Sequence, residues 1–165
     1  MIVLLRAINV GRGRAVPMAA LRELLPGAVT YLQSGNVRLP GDAPDVAEIE
    51  RALADRFGFR IDVVTRSDAD WRRIVAGCPF PDAAAERANL LHVAVARIAP
   101  PADAAERLAD RCAPGERIAV VDDALWIDYG AGVARSKLTP TLLDRTVCAP
   151  VTARNWRTAQ ALLEL

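Results

Sequence analysis

Apolar residues recur along this chain in two rhythms, one of period two and one of period three to four, and the switches between them mark its elements. Residues 2–8 are apolar apart from Arg6 and read as a strand, with Leu4, Arg6 and Ile8 alternating onto one face. Gly11-Arg12-Gly13-Arg14 reads as a turn, and Pro17 suits the first position of a helix, where a missing N–H costs nothing. Met18, Leu21, Leu24 and Leu25 follow at helical spacing until Pro26-Gly27 stops the run. Residues 29–33 and 36–39 read as two short strands joined at Ser34-Gly35 in a tight hairpin. Pro44 opens a second helix with Val46, Ile49, Leu53 and Phe57 on one stripe, Gly58 ends it, and residues 60–65 form another strand.

That order, β-α-β-β-α-β, is the ferredoxin-like pattern. Ser67 and Asp70 then make a capping box ahead of Trp71, Ile74 and Val75, a helix closed by Gly77. Pro79-Phe80-Pro81 is the expected boundary, giving residues 1–78 as a ferredoxin-like subdomain with a linking helix and 79–165 as a second α+β subdomain. In the second part residues 90–96 read as a strand, a helix follows Pro100-Pro101, and residues 117–121 and 125–129 pair as a hairpin. Two short helices, opening near Thr139-Pro140 and at Thr152, finish the chain. The second half thus reads β-α-β-β-α-α, an echo of the first in element order. The fold class is α+β.

Composition narrows the function. With 165 residues, 52% of them hydrophobic, the chain has ample material for a packed interior. No apolar run nears the ~18 residues that span a bilayer, and the first residues lack the marks of a secretory signal, so a cytosolic protein with no membrane role is expected. A net charge of +1 lacks the basic excess of a general nucleic-acid binder. The three cysteines, Cys78, Cys112 and Cys148, are far apart and read as reduced, mostly buried thiols. The single histidine, His92, lies in an apolar strand and reads as a hydrogen-bonded core residue. Neither a metal nor a cofactor is expected.

Small polar residues are scarce, and where they fall carries the functional argument. Lysine, serine, asparagine and glutamine total ten, and seven of them lie in residues 5–14, 31–37, 135–139 and 154–156, only 25 positions in all. Such groups form directional hydrogen bonds at low entropic cost, as a binding surface requires. Service in turns and caps explains Ser34-Gly35-Asn36 equally well, but it explains Lys137, the one lysine, poorly. Arg135 and Lys137 precede the helix at Pro140, and a cap at Thr152 would put Arg154 and Arg157 in the first turn of the last helix. Cations at helix starts oppose the helix dipole unless an anion sits between them.

Arg6, Asn9, Arg12 and Arg14 form a further basic, amide-bearing stretch, although Gly11-Arg12-Gly13 is only a fragment of a phosphate loop. The expected ligand-binding set is Arg6, Asn9, Gln33, Ser34, Asn36, Arg135, Ser136, Lys137, Thr139, Arg154, Asn155 and Trp156, converging on a cleft between the halves. The ligand would be a nucleotide, a phosphorylated metabolite or a nucleic-acid end. Two alternatives stay open: an enzyme using Lys137 as base or Schiff-base nucleophile, and RNA binding on a sheet face, for which Tyr31 is the lone aromatic among the first-half strands. Oligomeric state is left open.

The same segments carry a family resemblance. Leu4-Leu-Arg-Ala-Ile-Asn-Val-Gly11, Tyr31-Leu-Gln-Ser-Gly-Asn-Val37, Phe80-Pro-Asp82, Leu91-His-Val93, Arg135-Ser-Lys-Leu-Thr139 and Thr152-Ala-Arg-Asn-Trp-Arg-Thr158 resemble the domain of unknown function 1697 family. The resemblance runs nearly end to end and implies two ferredoxin-like subdomains. It implies no activity or cofactor. Ala7 stands where the family usually has glycine, and Arg12 where a second glycine commonly follows Gly11.

Overall fold

The computed structural model describes residues 1–11, 13–41 and 45–165; Arg12 and Pro44, named above, lie outside them. The chain forms two compact units, residues 1–71 with 162–165, and residues 72–161.

In the first unit the order is β1 (Ile2–Leu5), α1 (Met18–Leu24), β2 (Val29–Tyr31), β3 (Asn36–Arg38), α2 (Val46–Phe57) and β4 (Val63–Arg66). The strands lie in the order β2-β3-β1-β4, with antiparallel pairing throughout. Val3 on β1 faces Val37 on one side and Thr65 on the other. Val3, Leu5, Val37 and Val63 pack with Leu21 of α1 and with Ile49 and Leu53 of α2. The stripe expected on α2 therefore does bury its apolar face. Its start is fixed by Asp45, whose Oδ1 accepts from the backbone N–H of Ala47 (2.8 Å) and Glu48 (3.3 Å). Pro17 occupies the N-cap of α1, one residue earlier than the spacing indicated.

Three expectations for the first unit need correction. The strand expected over residues 60–65 spans Val63–Arg66. β1 stops at Leu5, because Ala7 turns to φ +53° and breaks the alternation. Ile8 then joins the core with Val3 and Leu5, so it does not share a strand face with Arg6. The hairpin strands are also shorter than expected. Leu32 (φ +56°) leaves the β region early, and residues 32–35 form a four-residue turn.

α3 (Asp68–Ala76) begins as the capping box requires: Ser67 Oγ accepts from Asp70 N–H at 2.9 Å and donates to Asp70 Oδ2 at 2.6 Å. The unit boundary falls within this helix. The second unit continues with α4 (Pro81–Glu86), β5 (Leu91–Val95), α5 (Ala104–Ala109), β6 (Arg117–Val121), β7 (Ala124–Asp128), a 3-10 turn (Val133–Arg135), α6 (Pro140–Val147), β8 (Thr152–Asn155) and α7 (Trp156–Glu164). Its strands lie in the order β6-β7-β5-β8, again antiparallel. Ala94, Leu125 and Ile127 on one sheet face pack with Leu108 of α5 and with Leu143 and Val147 of α6.

The helix expected to open at Thr152 is a strand followed by a helix. Thr152 pairs with Val95 and Arg154 with Val93, and Asn155 Oδ1 accepts from Thr158 N–H at 2.9 Å to cap α7. Thr152 and Asn155 are both good capping residues three apart, and the β-branched Val151-Thr152 pair favours an extended start. The second half therefore repeats both the element order and the strand order of the first, with α7 added. α4, opened by Pro81 at its first turn, begins at the expected boundary Pro79-Phe80-Pro81, in a stretch for which the sequence pattern indicated no element. Cys78 and Cys112 are half-buried and Cys148 is exposed, which corrects the expectation of mostly buried thiols. Among the described residues no helix is long and apolar enough to cross a membrane.

Candidate functional site

Two of the four polar segments meet in the first unit. Leu5 N–H donates to Gly35 O at 2.8 Å, and Asn9 Nδ2 donates to Gln33 O at 2.7 Å. Asn9 also donates to Val16 O (3.0 Å) and accepts from Val16 N–H (2.8 Å), clamping the segment before α1. Asn36 is buried and donates to Tyr31 O and Ser34 Oγ, both at 2.9 Å. Both amide groups thus hold backbone in place. Gln33 and Ser34 stand exposed beside them.

The cations of this region are largely engaged. Arg6 Nη1 lies 3.7 Å from Asp62 Oδ2, an ion pair with a half-buried carboxylate. Arg14 donates to Ala7 O (2.7 Å) and Arg60 O (3.1 Å), and its guanidinium lies over the Phe59 ring at 4.8 Å. Ala7, Asn9 and Leu32 are all non-glycine residues at positive φ. For Ala7 this conformation costs about 1 kcal/mol, which the glycine of the family pattern would not incur.

The other two segments belong to the second unit. Ser136 Oγ accepts from Leu138 N–H (3.1 Å), and Thr139 Oγ1 accepts from Leu142 N–H (3.3 Å) as the cap of α6. Between these two capping groups Lys137 is exposed, as is Arg135. Neither side chain makes a hydrogen bond or ion pair among the described residues. Arg154 differs from both. It sits on β8 rather than in a helix start, it is 7% exposed, and Nη1 donates to Thr152 Oγ1 and Ala153 O, both at 2.8 Å. Burial pulls its guanidinium down to about 10. Trp156 begins α7, with its N–H on Ala88 O (3.1 Å) and its ring 5.8 Å from Trp126.

Arg135 lies in the wall of a pocket of about 380 Å³ within the second unit. Ala113, Pro114, Ala131, Gly132 and Ala134 form its short apolar lining, together with Glu116 and Tyr129. Tyr129 is 5% exposed and stacks edge-on against His92 at 5.1 Å. Burial, with the Glu116 carboxylate adding to it, pushes the tyrosine hydroxyl up to about 12. His92 Nδ1 lies 3.3 Å from Leu90 O, and burial lowers its imidazole below the usual 6.5. The histidine is therefore the hydrogen-bonded strand residue that its apolar neighbours indicated. Glu116 and Tyr129 were not foreseen as pocket residues, since nothing in their spacing sets them apart.

Sequence reasoning also missed a five-member ion network of Asp82, Glu86, Arg87, Arg117 and Asp128. Asp128, fully buried at the end of β7, accepts from Arg87 Nη2 and Arg117 Nη2, each at 2.8 Å, and from Gly130 N–H at 3.1 Å. Asp82, from the Phe80-Pro-Asp82 motif, accepts from the same two Nη2 groups at 3.0 and 2.7 Å. The Arg117 and Arg87 guanidiniums hold the Asp82 carboxyl down to about 2. Burial alone would push Asp128 up, but the two arginines and Gly130 N–H outweigh it and leave the carboxyl below its ordinary value. The Arg117 guanidinium also lies over Phe80 at 4.6 Å. Glu86 Oε2 accepts from Arg87 Nη1 at 3.3 Å, so two cations close on three anions and the network is a structural clasp whose arginines are already engaged. The only available signal was an aspartate at an inward position of an otherwise apolar strand.

No curated protein and no solved structure matches the chain. A family model described as "Protein of unknown function (DUF1697)" matches residues 1–126. That match covers most of the chain and the first four of the six motifs quoted for the resemblance, while the 135–139 and 152–158 motifs lie beyond it. The chain belongs to the DUF1697 family.

Proposed function

We propose that this is a cytosolic binding module for a small anionic ligand, built from two ferredoxin-like units, with the 131–139 segment as its principal contact. The observation that carries the reading is that Arg135 and Lys137, two residues apart, keep their side chains unengaged among the described residues while Arg135 lines the pocket. An exposed cation without a carboxylate partner keeps its full charge for an incoming anion. Ser136 and Thr139 support this by fixing the backbone on either side of Lys137 through their caps. Arg154, Asn155 and Trp156 act through the β8–α7 junction. Arg6, Asn9, Gln33, Ser34 and Asn36 shape the corresponding polar end of the first unit. A nucleotide or phosphorylated metabolite suits these groups, and the ordinary net charge of +1 disfavours extended nucleic acid.

A thermal-shift series with inorganic phosphate, a nucleoside monophosphate and a sugar phosphate tests the reading. A ligand at about ten times its Kd adds roughly 1.4 kcal/mol, a rise of about 3–6 °C for a chain of this size. Arg135→Ala with Lys137→Ala should abolish the shift while leaving the ligand-free Tm within about 1 °C, because neither side chain supports the fold. Absence of any shift at about 10 mM, a concentration that detects even millimolar affinity, overturns it.

A further inference from the structure

We propose that the pocket of the second unit takes a small zwitterion, a molecule bearing an ammonium group close to a carboxylate or phosphate. This rests on the reading that Arg135 receives an anion, and it adds a second charge to the ligand.

Of the residues lining the pocket, only Arg135 and Glu116 carry charge. Glu116 Oε2 accepts from Ala113 N–H at 2.8 Å, which fixes the carboxylate at the pocket wall. Like Arg135, Glu116 makes no ion pair among the described residues. Tyr129, nine-tenths buried, supplies a hydroxyl with no hydrogen bond among the described residues. The hydroxyl is not closed off from the pocket, so it is available to bond an incoming group. Burial and the neighbouring carboxylate keep it protonated at neutral pH, where it both donates and accepts.

The inventory is thus one anion, one cation and one neutral hydroxyl around a small apolar floor. An ammonium group donates to Glu116 and to the Tyr129 oxygen, while an anionic group accepts from Arg135 and from the Tyr129 O–H. A plain phosphate would meet Glu116 in a partly enclosed site where repulsion is poorly screened, and a plain amine would meet Arg135 in the same way. A molecule with both charges satisfies both walls and should bind more tightly than an anion held by Arg135 alone. The volume of about 380 Å³ lies at the small end of ligand pockets, which suits a molecule of amino-acid size.

An α-amino acid and an aminoalkyl phosphate share this chemistry, and titration calorimetry on the full chain separates them. The probes are L-leucine with 4-methylpentanoate and isopentylamine, and phosphoethanolamine with ethyl phosphate and ethylamine. At least one zwitterion should bind about tenfold tighter than both of its single-charge counterparts, and the pair that shows this names the source. Glu116→Gln keeps an acceptor for Ala113 N–H; it should erase the tenfold preference without weakening the amine-free anion. Tyr129→Phe keeps the ring in the core and should weaken the zwitterion about fivefold. Equal affinity for zwitterion and amine-free anion overturns this inference while leaving anion binding in place. No binding by any probe at about 10 mM overturns both. Should either variant fail to fold, the ligand comparison on the unaltered chain decides alone.

Discussion

Gly35→Ala probes how tightly the polar turn of the first unit is pressed against β1. At φ +79° alanine costs about 1 kcal/mol more than glycine. Its Cβ would lie 2.6 Å from Leu5 Cβ, 3.0 Å from Leu5 O and 3.1 Å from Ile8 Cδ1. Leu5 Cβ and O are rooted in a strand paired on both sides, so neither can swing aside. The turn must retreat by about an ångström to reach ordinary carbon contacts of about 3.5–4.0 Å. Overpacking of this kind costs about 1–3 kcal/mol. The retreat also stretches the 2.8 Å bond from Leu5 N–H to Gly35 O, adding about 1 kcal/mol. The sum is about 3–5 kcal/mol, a large share of the roughly 5–15 kcal/mol that keeps a domain folded.

Urea unfolding followed by far-UV circular dichroism measures this loss, with Gly58→Ala as the control. Gly58 caps α2 at φ +78°, and a Cβ there meets nothing within 4 Å, so only the conformational cost of about 1 kcal/mol applies. If both variants lose the same amount, the close approach at Gly35 contributes nothing and the reasoning is wrong.

Two pH effects follow from the second unit. Asp82 and Asp128 both titrate below the ordinary 3.8 in the fold, so the unfolded chain binds protons more readily. The stability they contribute is complete above about pH 4 and is lost as the pH falls towards 2, which dichroism in low salt will follow. Asp128→Asn should lower stability at pH 7 and flatten that acid transition; an unchanged acid limb would refute the role given to the clasp. His92 is the sole histidine, so proton NMR reads one imidazole, and its midpoint should fall below 6.5. Because folding disfavours its protonation, stability is intact above pH 6.5 and declines as the pH drops below it, and a midpoint at or above 6.5 would contradict this.

Legibility in the sequence followed the strength of local signals. α2 and α3 were readable because an amphipathic stripe coincided with an end signal: Gly58 stops one, whose Asp45 cap was not read, and Ser67 with Asp70 opens the other. The strand at Thr152 was not, because four residues carry too little periodicity to outweigh a capping residue. Only the pairing with β5 decides that segment. Among site residues, the scarcity of small polar groups located the segments but could not tell ligand contacts from backbone clamps. Asn9 and Asn36 proved to be clamps, and their bonds run to Gln33 O and Tyr31 O, carbonyls that no side-chain pattern announces. The Asp128 clasp joins residues from α4, β6 and β7, so it exists only in three dimensions.

In each unit the first strand is flanked by the last: Ile2 sits beside Arg66, and Val95 beside Thr152. A growing chain therefore cannot close either sheet until nearly the whole of that unit has left the ribosome. Until then β1, apolar on both faces, and β5, apolar apart from His92, wait with one edge unoccupied. The moment at which residues 63–66 and 152–155 emerge thereby bounds how long each nascent half is exposed to misassociation.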